Sequence, residues 1–170
     1  MKRPVAMFLA IIMLLTVASG CTTKKQVVIK KDTTLQNIVD KVAEEFGDFY
    51  VQMPSKLDAT TLKDLFNIDP AIVDEYAGDF AMTMTSADNF VAIKAKEGKV
   101  EEVKQALENR RAQVQQTFEQ YLPGPLQVAK AGKVIVKGNY VFLIMIGNPE
   151  KGPEKDVARA EEIINSYFSE

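Results

Sequence analysis

Tyr140-Val141-Phe142-Leu143-Ile144-Met145-Ile146 is apolar at every position. Side chains along a strand alternate between its two faces, so a run with no polar member offers no face to water. Such a strand lies centrally in its sheet or is covered on both sides. Gly138-Asn139, just before it, is a two-residue hairpin turn. Residues 126–136 are its expected partner, extended and kinked at Ala131-Gly132, and Gly147-Asn148-Pro149 ends the run. A chain built on this hairpin must bury a sheet under helices.

The rest of the chain supplies them. Leu35, Ile38, Val39, Val42, Ala43 and Phe46 form one apolar stripe at helical spacing. Asp32 or one of the threonines after it caps the start, and Gly47 marks the stop. Residues 48–57 read as a loop containing Met53-Pro54. A short helix is predicted from Thr60 to Phe66, with Thr61 and Asp64 spaced as a capping box. Asp69-Pro70 is a turn, with one more helical turn through Ile72, Val73 and Tyr76. The period then becomes two: Phe80, Met82 and Met84 form the apolar face of a strand, read as core. Ser86 to Asn89 is a turn, and Phe90 to Lys96 is the returning strand.

Residues 99–122 form the longest predicted helix, with Val103, Leu107, Val114, Phe118 and Tyr121 on one face and a stop at Leu122-Pro123-Gly124-Pro125. Gly152-Pro153 opens a last helix that carries Val157, Ala160, Ile164 and Tyr167 inward. Two strand–strand–helix units in series predict an α+β fold. Its four-stranded antiparallel sheet of two β-hairpins packs against a long central helix and N- and C-terminal helices.

The start of the chain has a different character. Lys2 and Arg3 precede an apolar run from Val5 to Val17, followed by Ala18-Ser19-Gly20-Cys21. A charged segment, a short apolar segment and a small-residue cleavage site make up a secretory signal. The run falls short of the ~20 residues that a spanning helix needs. Ala18-Ser19-Gly20-Cys21 resembles the lipobox of bacterial lipoproteins, departing from it at Ala18, where Leu is usual. The resemblance implies cleavage between Gly20 and Cys21, acylation of Cys21 and anchorage to the extracytoplasmic face of the cell membrane. The expected organisation is a signal peptide at 1–20, a lipid-anchored tether at 21–31 and a single α+β domain at 32–170. Within the tether, Val27-Val28-Ile29 is apolar enough to add an edge strand instead.

Composition narrows the chemistry. The chain has 21 basic and 23 acidic residues; residues 1–20 hold Lys2, Arg3 and no acid, so the remainder carries 19 against 23, a net −4. A mildly acidic domain argues against nucleic acid as a partner. There is no histidine and one cysteine. Histidine-based catalysis, histidine-ligated metal and disulfide staples are excluded, and with Cys21 acylated no thiol nucleophile is left. No phosphate-binding glycine motif is present, so no nucleotide cofactor is expected. Asp69, Asp74, Glu75 and Asp79 form the densest acidic stretch but lack the spacing of a calcium loop, so no metal is expected. Arg110-Arg111 would suit an anionic polymer, with surface ion pairing as the plainer account.

Asp88-Asn89-Phe90-Val91-Ala92-Ile93-Lys94-Ala95-Lys96, the long helix into Tyr121-Leu122-Pro123, and Lys137-Gly138-Asn139-Tyr140-Val141-Phe142-Leu143 resemble domain of unknown function 4358 across residues 35–147. That family occurs in lipoproteins of Firmicutes. The resemblance implies a cell-surface lipoprotein and no established activity. Tyr121, Pro123, Asn139 and Tyr140 carry its best motifs and are the candidate binding residues; a helix end and a tight turn explain the same residues structurally. The function expected is a non-catalytic binding or accessory module that meets membrane lipid through acylated Cys21 and an envelope protein through its fold. The alternative is a small hydrolase or transferase using carboxylate, serine or tyrosine on envelope components. A deep pocket with converging polar side chains and a perturbed carboxylate would favour the alternative.

Overall fold

The computed structural model describes residues 27–120 and 122–169; the expected signal peptide at 1–20, including Gly20, and also Cys21 and Tyr121 lie outside the described residues. The elements are β1 (Val28–Ile29), α1 (Leu35–Phe46), β2 (Pro54–Lys56), α2 (Ala59–Asp64), β3 (Val73–Ala81), β4 (Asn89–Ala95), α3 (Val100–Phe118), α4 (Pro123–Ala131), β5 (Lys133–Lys137), β6 (Tyr140–Met145), α5 (Pro153–Ser166) and β7 (Phe168–Ser169). The fold is α+β. A five-stranded antiparallel sheet has the order β2-β3-β4-β6-β5, and β1 pairs with β7 in a two-stranded sheet of its own.

Helices cover both faces of the main sheet. On one face α1 and α5 bring Leu35, Ile38, Val42, Val157 and Ile164 against Phe90, Phe142 and Ile144. On the other, α2, α3 and α4 bring Leu62, Val103, Leu107, Phe118 and Val128 against Val91, Ile93, Val141, Leu143 and Met145. β6 therefore feeds two cores in alternation, as its unbroken apolar run demands. It lies between β4 and β5, and its hairpin turns at Gly138, whose φ of +58° suits glycine.

Several expectations are corrected. The main sheet has five strands because Pro54–Lys56 pairs with Ala81, Phe80 and Asp79 of β3. An edge strand of three residues that begins with proline carries no alternation to read. The helical turn expected through Val73 and Tyr76 is a 3-10 turn at Pro70–Ile72 followed directly by β3. β3 hides its period because the residues of its α1 side are small or acidic: Ala77 and Ala81 lie in the α1-side core, and Glu75 and Asp79 alternate with them along the strand. β3 ends at Ala81, so of the apolar stripe only Phe80 is core, while Met82 and Met84 are exposed. The helix expected over 99–122 stops at Phe118, and the proline-glycine-proline segment starts α4 instead of an extended stretch. Proline at the first helical position loses no hydrogen bond. The cap of α2 is Asp58 with Thr61, one turn earlier than expected.

Candidate functional site

One end of the main sheet gathers four pieces of chain. These are the link from α1 to β2, the β3–β4 loop, the start of α4 and the link from β6 to α5. A cleft of about 280 Å³ opens among them, walled by Phe49, Pro125, Val128 and Pro149, with Tyr50, Ser86, Asp88 and Asn148 as its buried polar residues. The Gly147 N–H donates to Phe49 O at 3.1 Å, joining two of the links. A Cβ on Gly147 would lie 2.7 Å from Asp156 Cβ, and its φ is +127°, so only glycine fits there. Asp156, in the first turn of α5, accepts the Asn148 N–H at 2.7 Å.

Asp88 organises the β3–β4 loop. Its Oδ2 accepts the Ser86 hydroxyl at 2.5 Å and the Gln52 N–H at 3.2 Å. Its own N–H donates to Ser86 Oγ at 3.1 Å. Burial raises the Asp88 carboxyl above its ordinary value, against the opposing pull of the Ser86 and Gln52 donors. Neither Asp88 Oδ1 nor the Asn148 side-chain amide nitrogen has a hydrogen-bond partner among the described residues. One acceptor and one donor thus stay open to a ligand.

Tyr50 and Asp79 support the cleft from beneath. The Tyr50 hydroxyl donates to Asp79 Oδ2 at 3.0 Å, and the ring packs against Phe90 at 5.9 Å. Burial, and then the charge of Asp79, push the phenol well above its ordinary value. Lys56 Nζ lies 2.9 Å from Asp79 Oδ1 and donates to Oδ2 at 3.0 Å, so its ammonium sits against both oxygens of the buried carboxylate. The tyrosine is therefore a fixed donor to a buried carboxylate.

Ser86 and Asp88 are within the reach expected of a nucleophile and its base. Acyl transfer would also need donors placed for an oxyanion. Two backbone N–H groups of the nearby link, at Gly147 and Asn148, are taken by Phe49 O and Asp156, and that of Glu150 by Asn148 Oδ1. The serine is itself a member of a closed ring of bonds with Asp88.

Residues 46–146 match a family described as a domain of unknown function, DUF4358. The chain belongs to that family. No curated protein and no solved structure matches it. The DUF4358 match runs from the last residue of α1 to the residue after β6, so it holds the whole five-stranded sheet. It includes Phe49, Tyr50, Ser86, Asp88 and Pro125 of the cleft and stops short of Asn148 and Pro149.

The residues singled out by sequence are scattered over this DUF4358 fold. Pro123 opens α4 at the cleft end, where the neighbouring Gly124 faces Pro149, yet it is Pro125 that lines the cleft. Asn139 is exposed in the β5–β6 turn, where its carbonyl accepts the Ala95 N–H at 2.8 Å. Tyr140 is buried beside Phe168, with ring centroids 5.2 Å apart. Asn139 and Tyr140 stand at the opposite end of β6 from the cleft, about 20 Å away at the rise of a strand. The acidic stretch also separates. Asp69 accepts the Ala71 N–H, Glu75 the Leu35 N–H at the head of α1, and Asp79 the Tyr50 hydroxyl. Among the described residues no three such side chains converge on a metal-sized site. Ser86 and Asp88 gave only a turn signal in the sequence, and no periodicity connects them with Gln52 or Asn148.

Proposed function

We propose that the chain is a membrane-anchored extracytoplasmic lipoprotein whose DUF4358 fold binds an envelope component in this cleft without covalent chemistry. The anchor rests on Lys2-Arg3, the apolar run and Ala18-Ser19-Gly20-Cys21. The observation that carries the binding role is the reciprocal hydrogen bonding of Ser86 and Asp88, which ties the serine into the loop. Asp88 Oδ1 and the Asn148 amide then offer one acceptor and one donor between walls of proline and phenylalanine. That combination suits an uncharged polar ligand with one apolar face.

The perturbed Asp88 carboxyl beside a serine favours a second reading, a serine hydrolase or transferase with Asp88 as base. One experiment separates them. A photo-crosslinking residue placed at Phe49 or Thr85 in intact cells should capture a discrete partner, and the same residue at Lys63 on α2 should not. Equal capture from both places, or none from the cleft, rejects the binding role. A serine-directed phosphonate that labels wild type but not Ser86→Ala establishes the hydrolase instead.

A further inference from the structure

A second depression lies at the same end of the sheet, on the α3 side. It is small, about 100 Å³, and Thr83, Asn89, Arg110 and Thr117 line it over Val114 and Phe118. Arg110 projects from α3 and is half-buried. Its guanidinium lies over the Phe66 ring, 5.4 Å from Cζ to centroid, so one face is held by an aromatic surface. Its Nε–H donates to Asn89 Oδ1 at 3.4 Å and its Nη1 to Gln113 Oε1 at 3.3 Å; both are long and both acceptors are neutral. Nη2 has no partner, and no carboxylate pairs with Arg110, among the described residues. The residues one helical turn away, Ala106, Leu107, Gln113 and Val114, carry no charge.

Its neighbours differ. Arg111 is bound to Glu108 at 2.8 Å and to Gly132 O at 3.3 Å, and Arg159 is held by Glu45 and Glu162. Surface ion pairing therefore accounts for Arg111 and leaves Arg110 unexplained. A guanidinium taken partly out of water without a counter-ion is costly, and a planar oxyanion relieves the cost through two parallel N–H donors. The depression has room for such a group and not for a sugar ring.

We propose that Arg110 anchors an oxyanion subsite, distinct from the cleft beside Asp88, that takes a carboxylate or phosphate group carried by a ligand. Thr83 and Thr117 stand at its wall and Phe66 sets the plane of the guanidinium.

The test uses the full chain in phosphatidylcholine nanodiscs, observed at the Asn89 side-chain amide by NMR. Inorganic phosphate and acetate are titrated separately, and a third sample replaces the lipid with phosphatidylglycerol. A saturable shift with phosphate or with acetate identifies the group as phosphoryl or carboxyl. A shift only in phosphatidylglycerol identifies a lipid headgroup as its source. In each case Arg110→Gln should abolish the shift and Arg111→Gln should leave it. Arg110→Lys keeps the charge but loses the fork, and affinity should fall about tenfold. No saturable shift with any of the three overturns the proposal, as does an equal shift in Arg110→Gln. Should Arg110→Gln not fold, unchanged affinity in Arg110→Lys overturns it.

Discussion

Asp88 is buried, shares its Oδ2 between Ser86 and Gln52, and titrates above its ordinary value of 3.8 because burial outweighs those two donors. A carboxyl raised in the folded state favours folding while it is protonated. Its contribution is complete below the unfolded value and is lost as pH rises through the folded one. Asp88→Asn keeps an oxygen acceptor for Ser86 and Gln52 and removes the titration. Relative to wild type, the variant should therefore gain stability between about pH 4 and about pH 7. Urea denaturation at both values checks this, and an equal difference at the two rejects it. Tyr50 makes the complementary case. Its hydroxyl is a donor to the buried Asp79 carboxylate, which has Lys56 as its only charged partner among the described residues. Hydrogen bonds to charged groups contribute ~1.5–3 kcal/mol. Tyr50→Phe should lower unfolding free energy by that amount with the spectrum of the fold unchanged.

At the scale of elements, β6 bears the two-sided core. Phe142 and Ile144 face α1 and α5, while Leu143 faces α3. All three are fully buried. Phe142→Ala or Ile144→Ala should cost ~2–5 kcal/mol, from lost burial plus the cavity left behind. An unchanged urea midpoint and slope would contradict the placement. This element was legible because covering both faces leaves a mark in the sequence, and so was α1, whose single stripe has the helical period. β3 was not. Its α1 side carries Glu75, Ala77, Asp79 and Ala81, small or acidic residues that fit beneath a closely packed helix and next to specific partners. β2 was invisible because pairing alone makes it a strand. The cleft shares this property. Gln52, Ser86, Asp88 and Asn148 come from three connections that meet only after the sheet forms, so nothing local marks them. Arg110 was visible as one of a pair, but the charge that separates it from Arg111 is Glu108, one turn back on α3.

For the whole molecule, the direction in which the chain enters the fold orders the rest. Val28–Ile29 pairs with Phe168–Ser169, Ile29 packs on the α1-side core, and Phe168 meets Tyr140 and Phe142 at 5.2 and 6.1 Å. A chain beginning at residue 32 loses this strand and should be ~1–2 kcal/mol less stable than one beginning at residue 22, by lost burial of Ile29 and exposure of Phe168. Equal midpoints would show that β1 contributes nothing.

Under the proposed lipid anchor, the same entry point would set the orientation at the membrane. With Cys21 acylated, residues 22–26 are all that separate the anchor from Val27, and five residues span at most about 18 Å. Val27 lies against the β5–β6 turn, its carbonyl 3.1 Å from where a Gly138 Cβ would sit. The cleft is at the other end of β6, about 20 Å further along the strand, and the Arg110 depression shares that end through Ser86. The anchored domain should therefore hold its turn near the lipid and present both sites outward, where a ligand of the envelope would reach them. A single added cysteine makes this measurable, because Cys21 is the only natural one and its sulfur would be acylated. A fluorophore at Lys137→Cys should transfer energy to headgroup-labelled lipid more efficiently than the same fluorophore at Glu150→Cys on the cleft rim. Transfer that is equal at the two positions, or stronger at 150, would mean that the sites face the membrane and that the ligand is to be sought there.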